Sequence, residues 1–164
     1  MYLQAKHFNE NGILLDTVEP ELPLNAQTEK HLLNNGDVIF AAKGSKNFAA
    51  KYENKNGPCV ASSTFLVIKI NEEFRDKISP DYLCWFLNHA KTKELIKAEA
   101  RGSSMISISK AALQELEITI PAIEKQNLIV KIHALQNAEI HIMNKLQILK
   151  NQYTQQLLIT AINK

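Results

Sequence analysis

The sequence of 164 residues has very few cysteines and no long apolar run. Its two thiols, Cys59 and Cys84, lie far apart and outside any CxxC pattern. This predicts free thiols in a reducing cytoplasm and disfavours a structural zinc site. No window holds eighteen consecutive apolar residues, so we expect no transmembrane helix. The N-terminal MYLQAKHFNENG has no basic segment followed by an apolar one, so we expect no signal peptide.

Recognisable catalytic motifs are missing as well. There is no GxSxG, HExxH or Walker loop, and the five histidines are scattered. Asp37 with Glu53-Asn54-Lys55 loosely fits the Asp…Glu-x-Lys arrangement of metal-dependent nucleases. That arrangement needs Glu-x-Lys on a core strand, whereas here it runs into the turn Asn56-Gly57, so we interpret the match as coincidence. We predict no enzyme activity, no metal and no cofactor.

The charge is mild and unevenly distributed. The formal net charge is +2. Residues 122–164 hold five lysines against two glutamates, which leaves fourteen basic and fifteen acidic residues in 1–121. If the larger part binds nucleic acid, it must therefore do so through a local patch rather than its whole surface.

The chain divides at Pro121. Residues 1–121 alternate between short strand-like and helix-like patterns, which predicts an α+β domain with a mixed or antiparallel sheet. Strands are predicted over Tyr2–Phe8, Val38–Phe40, Asn47–Glu53, Cys59–Ile70, Met105–Ser109 and Glu117–Ile120. Ser79-Pro80 predicts the start of a helix, a second helix should end before Gly102, and a third short helix should cover Ser109–Leu116.

Residues 122–164 contain no glycine or proline and repeat apolar residues at heptad-like spacing. This predicts one coiled-coil-like helix of roughly 40 residues, about 60 Å long, whose stripe needs a partner. The alternative is a shorter helix folded back on its own domain. The stripe consists of Leu128, Ile132, Leu135, Ile142, Leu146, Leu149, Tyr153 and Leu157.

Two basic loops are candidates for binding nucleic acid. Lysines can neutralise phosphates, hydroxyl and amide groups can bond phosphates or base edges, and glycine lets a backbone come close to a ligand. The alternative is that both loops are ordinary solvated surface. Tyr82, Trp85 and Phe86 have helical spacing, so we predict core positions for them rather than stacking platforms. The first loop contributes Lys43, Gly44, Ser45, Lys46, Asn47 and Lys51, and the second contributes Lys97, Arg101, Ser103 and Ser104.

Four stretches in order resemble the specificity subunit of type I restriction-modification systems. YLQAKHFNENGIL looks like its early strand and turn, LLNNGDVIFAAKGS is similar to its glycine-aspartate strand with a basic glycine-serine end, and CVASSTFLVIKI resembles the strand that follows. The most specific stretch is RGSSMISISKAALQELEITIPAIEKQNLIVKI. It matches the family's glycine-serine loop, short helix, Leu-x-x-Ile-x-Ile-Pro segment and a Pro-x-x-Glu-x-Gln-like entry into a long helix.

The resemblance implies that residues 1–121 are a target recognition domain that reads one half of a split double-stranded DNA site, and that 122–164 are the family's long helix. A full subunit of the family has two recognition domains and two helices, which pair antiparallel. It is not catalytic and docks methyltransferase subunits, which hold the S-adenosylmethionine site. Lys43, Lys46, Lys51, Lys97 and Arg101 would contact phosphates. Ser45, Asn47 and Ser104 would read bases.

This chain departs from the family pattern by having one recognition domain and one helix. It also starts at Met1, almost on the first strand, without the family's usual preceding segment. The expected arrangement is a half-subunit that forms a homodimer through the stripe, or else a piece of a longer protein. One alternative is a truncated or decayed relative that acts as a protein-interaction module without DNA binding. A nuclease using Asp37, Glu53 and Lys55 is a further alternative.

Overall fold

The computed structural model describes residues 1–9, 11–15, 29–44, 46–99 and 107–162. The chain divides into two compact units, Met1–Asn127 and Leu128–Lys164. The division lies six residues beyond the predicted boundary at Pro121, because the first turn of the long helix packs within the first unit. The functions assigned to the two parts stay predictions.

The first unit is built on two small sheets. Strand β1 (Tyr2–Leu3) pairs in parallel with β4 (Val60–Ala61). Strand β2 (Val38–Ala41) lies between β3 (Ala49–Lys51) and β5 (Phe65–Ile68) and is antiparallel to both. The short strands and the long helix described below confirm the predicted α+β class.

Strand β2 is buried on both faces. Ile39 and Ala41 face an apolar cluster, while Val38 and Phe40 alternate to the other face, where a helix packs. Three rings form the centre of the cluster. The centroid of Phe8 lies 5.4 Å from that of Phe48 and 5.8 Å from that of Phe65. Burial on both faces explains why this strand reads as a continuous apolar run.

The single strand predicted over Cys59–Ile70 is wrong. The structure has two strands there, β4 and β5, which belong to different sheets. A turn separates them, in which the Ser62 and Thr64 hydroxyls lie 2.5 Å apart and Phe65 N–H donates to the Ser62 carbonyl. Hydroxyl side chains compete with ladder hydrogen bonds in this way, and propensity summed over the whole stretch concealed the break.

Three further strand predictions differ from the structure. Only Tyr2–Leu3 of Tyr2–Phe8 is a strand, because a 3-10 turn at Ala5–His7 follows, with Gln4 N–H bonded to His7 Nδ1. Glu117–Ile120 is irregular, and the Thr119 carbonyl accepts from Tyr82 Oη–H instead of a strand. Within Met105–Ser109, Ser107 forms an isolated bridge, and residues 105 and 106 lie outside the described ranges.

The described part of the first unit also contains the helices α1 (Pro80–Asn88), α2 (Ala90–Glu99) and α3 (Lys110–Gln114). Proline is at the first position of α1, as Ser79-Pro80 predicted. Ser109 caps α3, since its Oγ accepts from Ala112 N–H at 3.1 Å. Helix α1 packs against β2 and β3.

Helix α4 (Ile123–Ile162) is one uninterrupted helix of 40 residues, as predicted. Its first turn is fixed by Gln126, whose side chain is fully buried. Gln126 Oε1 accepts from Ser79 N–H at 2.9 Å, and Nε2 donates to the carbonyls of Lys77 at 2.6 Å and Pro121 at 2.7 Å. The amide thereby joins the start of α4 to the start of α1.

Candidate nucleic-acid interface

The first predicted basic loop is the turn of a β-hairpin. Residues 42–48, called here the basic hairpin loop, connect β2 to β3, and Ala41 N–H donates to the Phe48 carbonyl at 2.8 Å where the loop closes. Lys43 and Lys46 are exposed. Gly44 has φ +112, and no other described residue lies within 4 Å of where a Cβ would be. The backbone conformation therefore favours glycine at this position.

Asn47 shapes this loop from inside. Its Nδ2 donates across the loop to the Ala41 carbonyl at 2.9 Å. Its Oδ1 is buried and has no hydrogen-bond partner among the described residues. An amide held in this way is turned toward the loop backbone, so we assign Asn47 to loop geometry rather than to the base reading that the resemblance implied.

The base of the hairpin loop is fixed from two sides. Ala42 N–H donates to the Thr64 carbonyl at 2.9 Å, and Ile108 N–H donates to the Ala42 carbonyl at 2.8 Å. Lys43 and Ser107 form a β-bridge. Ser107 comes three residues after Ser104, the last residue assigned to the second predicted loop, and this bridge fixes it beside the first loop. Sequence separation hid this proximity, and only the fold brings the two segments together.

The outer edge of the hairpin is bonded to helix α1. Asn88 Oδ1 accepts from Ala49 N–H at 3.0 Å, and its Nδ2 donates to the Ala49 carbonyl at 2.7 Å. One side chain thus supplies both hydrogen bonds that a neighbouring strand residue would make. These two bonds fix strand β3 of the hairpin to α1, and no sequence pattern points to this role of Asn88.

The Lys51 ammonium is already paired with two carboxylates. Its Nζ lies 2.7 Å from Asp81 Oδ1 and 3.0 Å from Glu53 Oε1. Partial burial lowers the pKa of Lys51, but the hydrogen bonds and charges of Asp81 and Glu53 outweigh it and raise the pKa above its ordinary value. Asp81 and Glu53 therefore compete with a phosphate for Lys51, so we expect a weaker contribution from it than from Lys43, and its phosphate contact stays a prediction.

The second loop is described only in part. Lys97 is exposed on α2, next to the buried Ile96. Arg101, Ser103 and Ser104, like Ser45 of the first loop, lie outside the described residues, and their assignment to DNA stays a prediction.

The aromatic residues of α1 serve mainly for packing. Tyr82 is buried, and its ring centroid lies 5.5 Å from that of Trp85. Trp85 and Phe86 are half-buried. Tyr82 thus lies in the core as predicted, whereas Trp85 and Phe86 are only partly covered.

The nuclease-like residues have separate partners. Asp37 Oδ2 accepts from Asn34 N–H at 2.8 Å, which closes the turn before β2. Glu53 pairs with Lys51 and Lys55, and these contacts, first that of Lys55, lower its pKa. Lys55 itself is the central residue of the 3-10 turn Asn54–Asn56 and is not on a strand. Among the described residues, no group of three His, Cys, Asp or Glu could hold a metal ion.

Every residue of the apolar stripe is exposed in the single chain. Leu128 is 56% exposed, Leu135 62% and Tyr153 65%. Helix α4 carries further exposed apolar side chains, and at 100° per residue they lie away from the stripe. This second set consists of Ile140, Ile148, Leu158, Ile159 and Ile162. No described helix is long and apolar enough to cross a membrane.

Comparison with known proteins identifies a matching family and a relative of this chain. A family model described as the type I restriction modification DNA specificity domain matches residues 19–151. The putative type I restriction enzyme MjaX specificity subunit of Methanocaldococcus jannaschii is 33% identical over 107 residues, which cover 63% of this chain and 24% of that protein.

Two solved structures have the same fold. The HsdS subunit from Thermoanaerobacter tengcongensis aligns with a TM-score of 0.63 and 23% identity, covering 87% of this chain and 37% of that one. A chain from a study of complex assembly and conformational transition of the type I R-M system aligns with a TM-score of 0.74 and 21% identity, covering 98% of this chain and 41% of its own.

The chain therefore spans between about a quarter and two fifths of these relatives. The match of the family model includes the basic hairpin loop, the second loop and most of helix α4. Because that match covers well over half of the sequence, this chain belongs to the type I restriction modification DNA specificity domain family.

Proposed function

We propose that residues 1–121 read one half-site of a split double-stranded DNA target, and that two copies of the chain join through helix α4. Membership of the specificity domain family is the observation that carries this proposal. The rigidly held basic hairpin loop supports it, because exposed lysines on a fixed backbone can meet phosphates at a set position. We infer a cytoplasmic location from the DNA target.

DNA contact would be confined to one patch. Lys43, Lys46 and Lys97 supply the exposed positive charge among the described candidates. Each lysine that neutralises a phosphate releases counterions, so affinity should fall steeply with salt. The near balance of charge in 1–121 makes binding elsewhere on the domain unfavourable.

The stripe on α4 would join two recognition domains in antiparallel orientation. A heptad-like row of exposed leucine and isoleucine over more than three heptads is typical of a coiled-coil seam. Two half-sites at a fixed separation would follow from this symmetry, since each copy carries one recognition domain.

The second apolar set on α4 would dock methyltransferase subunits. Ile148, Ile159 and Ile162 lie on the side opposite the stripe and are exposed. A helix with apolar residues around its circumference is normally covered on more than one side. The chain itself would be non-catalytic, with methylation and cleavage supplied by partner subunits.

Light scattering after size exclusion tests the homodimer. The full chain should have twice the mass of a single copy, and Leu146→Asp, which puts a charge in the stripe, should be monomeric. Leu95→Asp changes another exposed leucine, 56% exposed against 44% for Leu146, that lies outside the stripe, and it should leave the dimer intact. A monomeric full chain would refute the homodimer and leave DNA recognition by a single domain standing.

DNA recognition is tested by selection from a random duplex library followed by binding at several salt concentrations. A split, palindromic site with strong salt dependence supports the proposal. The second candidate is a protein-interaction module without DNA binding. The paired Lys51 favours it, because that lysine adds less to the basic patch than a free one would. Absence of any salt-dependent duplex binding would decide for this candidate.

A further inference from the structure

Glu139 interrupts the apolar stripe of helix α4. It lies seven residues after Ile132 and seven before Leu146, so it takes a place in the seam at which the other residues are apolar. It is also the only acidic residue between Leu128 and Ile162. Like the rest of the stripe, it is exposed in the single chain. A charged residue inside a seam costs stability and commonly specifies which register forms.

We propose that Glu139 sets one antiparallel register between two copies of this chain, in which Ile142 faces Leu146 of the second copy. The proposal rests on the homodimer proposed above and names its geometry. In this register Glu139 lies opposite Leu149 of the second copy and beside its Lys150. Two symmetry-related pairs of Glu139 with Lys150 then flank the seam.

Parallel pairing is disfavoured by the same residue. In a parallel, in-register pair, Glu139 would face Glu139 within one layer, and like charges there repel. In the proposed antiparallel register the two Glu139 residues are ten positions apart along the helix, or about 15 Å at the usual rise per residue. Each glutamate then meets a lysine instead of its own copy.

One competing antiparallel register buries more apolar surface. It places Leu135 opposite Leu146 of the second copy and matches every apolar residue from Leu128 to Tyr153. However, it brings the two Glu139 residues within three positions, about 4.5 Å along the axis. It also carries Ile162 of the second copy past residue 123, where α4 begins. The proposed register keeps Ile162 opposite residue 126, within the helix.

The flanking residues agree with the proposed register. Some residues directly follow a seam residue, as Ile129 follows Leu128. In an antiparallel pair, such residues of one helix lie close to the equivalent residues of the other helix. Ile129 then meets Leu157 of the second copy, which accounts for the last apolar residue of the stripe. In the competing register, the same geometry would place Leu157 beside Ala122, just before α4 begins.

Disulfide trapping distinguishes the two registers. The double variant Leu135→Cys with Tyr153→Cys should form covalent dimers under mild oxidation, because these positions face each other in the proposed register and cysteines must come within about 7 Å between Cα atoms. Leu135→Cys with Leu146→Cys should form few. The parent chain, with Cys59 buried and Cys84 half-buried, provides the background. Preferential trapping of the second variant would overturn the proposal.

Charge reversal tests the role of Glu139 itself. Lys150→Glu should raise the dimer dissociation constant about tenfold, since two attractive pairs become repulsive. Glu139→Lys should do the same, and the two changes together should restore affinity to within about threefold. Lys131→Glu is the matched control, with no charge opposite it in this register, and should change affinity less than threefold. Absence of rescue in the double variant would contradict the pairing.

Removal of the charge gives a separate readout. Glu139→Leu should tighten the dimer and make Leu135→Cys with Leu146→Cys trappable, because the penalty on the competing register disappears. A monomeric parent chain would overturn this inference together with the homodimer, whereas DNA recognition would be unaffected. A dimer trapped in the other register would overturn this inference alone.

Discussion

Phe48 and Tyr153 show how differently the two units treat a large aromatic side chain. Phe48 is fully buried and packs against Phe8 and Phe65, whereas Tyr153 is 65% exposed on helix α4. The first unit buries a cluster of apolar residues around β2 within its own chain, although others, such as Leu95, stay exposed. In the second unit the apolar side chains of helix α4 are exposed, because a single helix has no other element to bury them against. Burial stabilises the first unit, whereas the exposed apolar row on helix α4 is the feature on which the proposed dimer rests.

Truncation of both aromatic rings tests this difference between the two units. Phe48→Ala should lower the free energy of unfolding of the first unit by about 3 to 5 kcal/mol, through lost burial and a cavity. Tyr153→Ala should leave that unit's stability unchanged and weaken self-association instead. Urea denaturation followed by near-ultraviolet circular dichroism, with light scattering on the same samples, measures both. Equal losses of stability would contradict the contrast between the units.

A second prediction concerns Gln126, which fixes the first turn of helix α4 within the first unit. Gln126→Ala would leave Ser79 N–H and the carbonyls of Lys77 and Pro121 without their partner. We expect a loss of about 2 to 3 kcal/mol in unfolding free energy, because buried polar groups without partners are costly. Gln136→Ala, on an exposed position of the same helix, should change stability by less than about 0.5 kcal/mol. A loss no larger than that of the control would mean that water replaces the amide.

A smaller effect separates the lysines of the first unit. Lys43→Ala should reduce the log–log salt slope of DNA binding by about one, the loss of one phosphate contact. Lys51→Ala should reduce the slope less, because its charge already serves Asp81 and Glu53. Fluorescence anisotropy on the selected duplex gives both slopes. A reduced slope for Lys51→Ala alone would reverse the assignment.

The last prediction concerns the ionisation and reactivity of the Cys84 thiol on helix α1. Burial raises the pKa of the Cys84 thiol to about 12. Its folded pKa exceeds the unfolded value, so the neutral thiol contributes stability that is present below about pH 9 and lost as pH rises toward 12. At pH 8 the native thiol should react with a disulfide reagent far more slowly than in urea. The reaction of the Cys84→Ser variant, which retains only Cys59, is subtracted to isolate the rate of Cys84. Equal Cys84 rates in the native and the unfolded chain would show that the thiol is accessible.

Local sequence signals were reliable where a single element decides the structure. Ser79-Pro80 marked the start of α1, and the uninterrupted heptad-like spacing after Pro121 predicted the 40-residue helix. They were less reliable for strands. Cys59–Ile70 looks like one strand because its propensity is high throughout, yet Ser62 and Thr64 turn the chain between two sheets. Strand propensity describes a fit to neighbours that the sequence does not show.

The candidate site followed the same rule. The basic residues of the hairpin loop were recognisable as a cluster, and Lys43, Lys46 and Lys97 are exposed as a DNA contact requires. Lys51 looked equivalent, but Asp81 lies 30 residues away in sequence and neutralises it. Asn47 looked like a base-reading side chain, but it bonds its own loop. Composition locates charges, whereas only the fold shows that Asp81 lies beside Lys51.

The family, the long helix and its row of apolar residues could be recognised from the sequence alone. They depend on the order of motifs along the chain and on residue spacing along one helix. The tertiary structure decided which lysine is neutralised, that Asn88 and Gln126 bond distant backbone groups, and that Ser107 meets Lys43. These depend on contacts between residues far apart in the chain. Such contacts form only when the apolar residues around β2 have been buried together, and no local pattern encodes them.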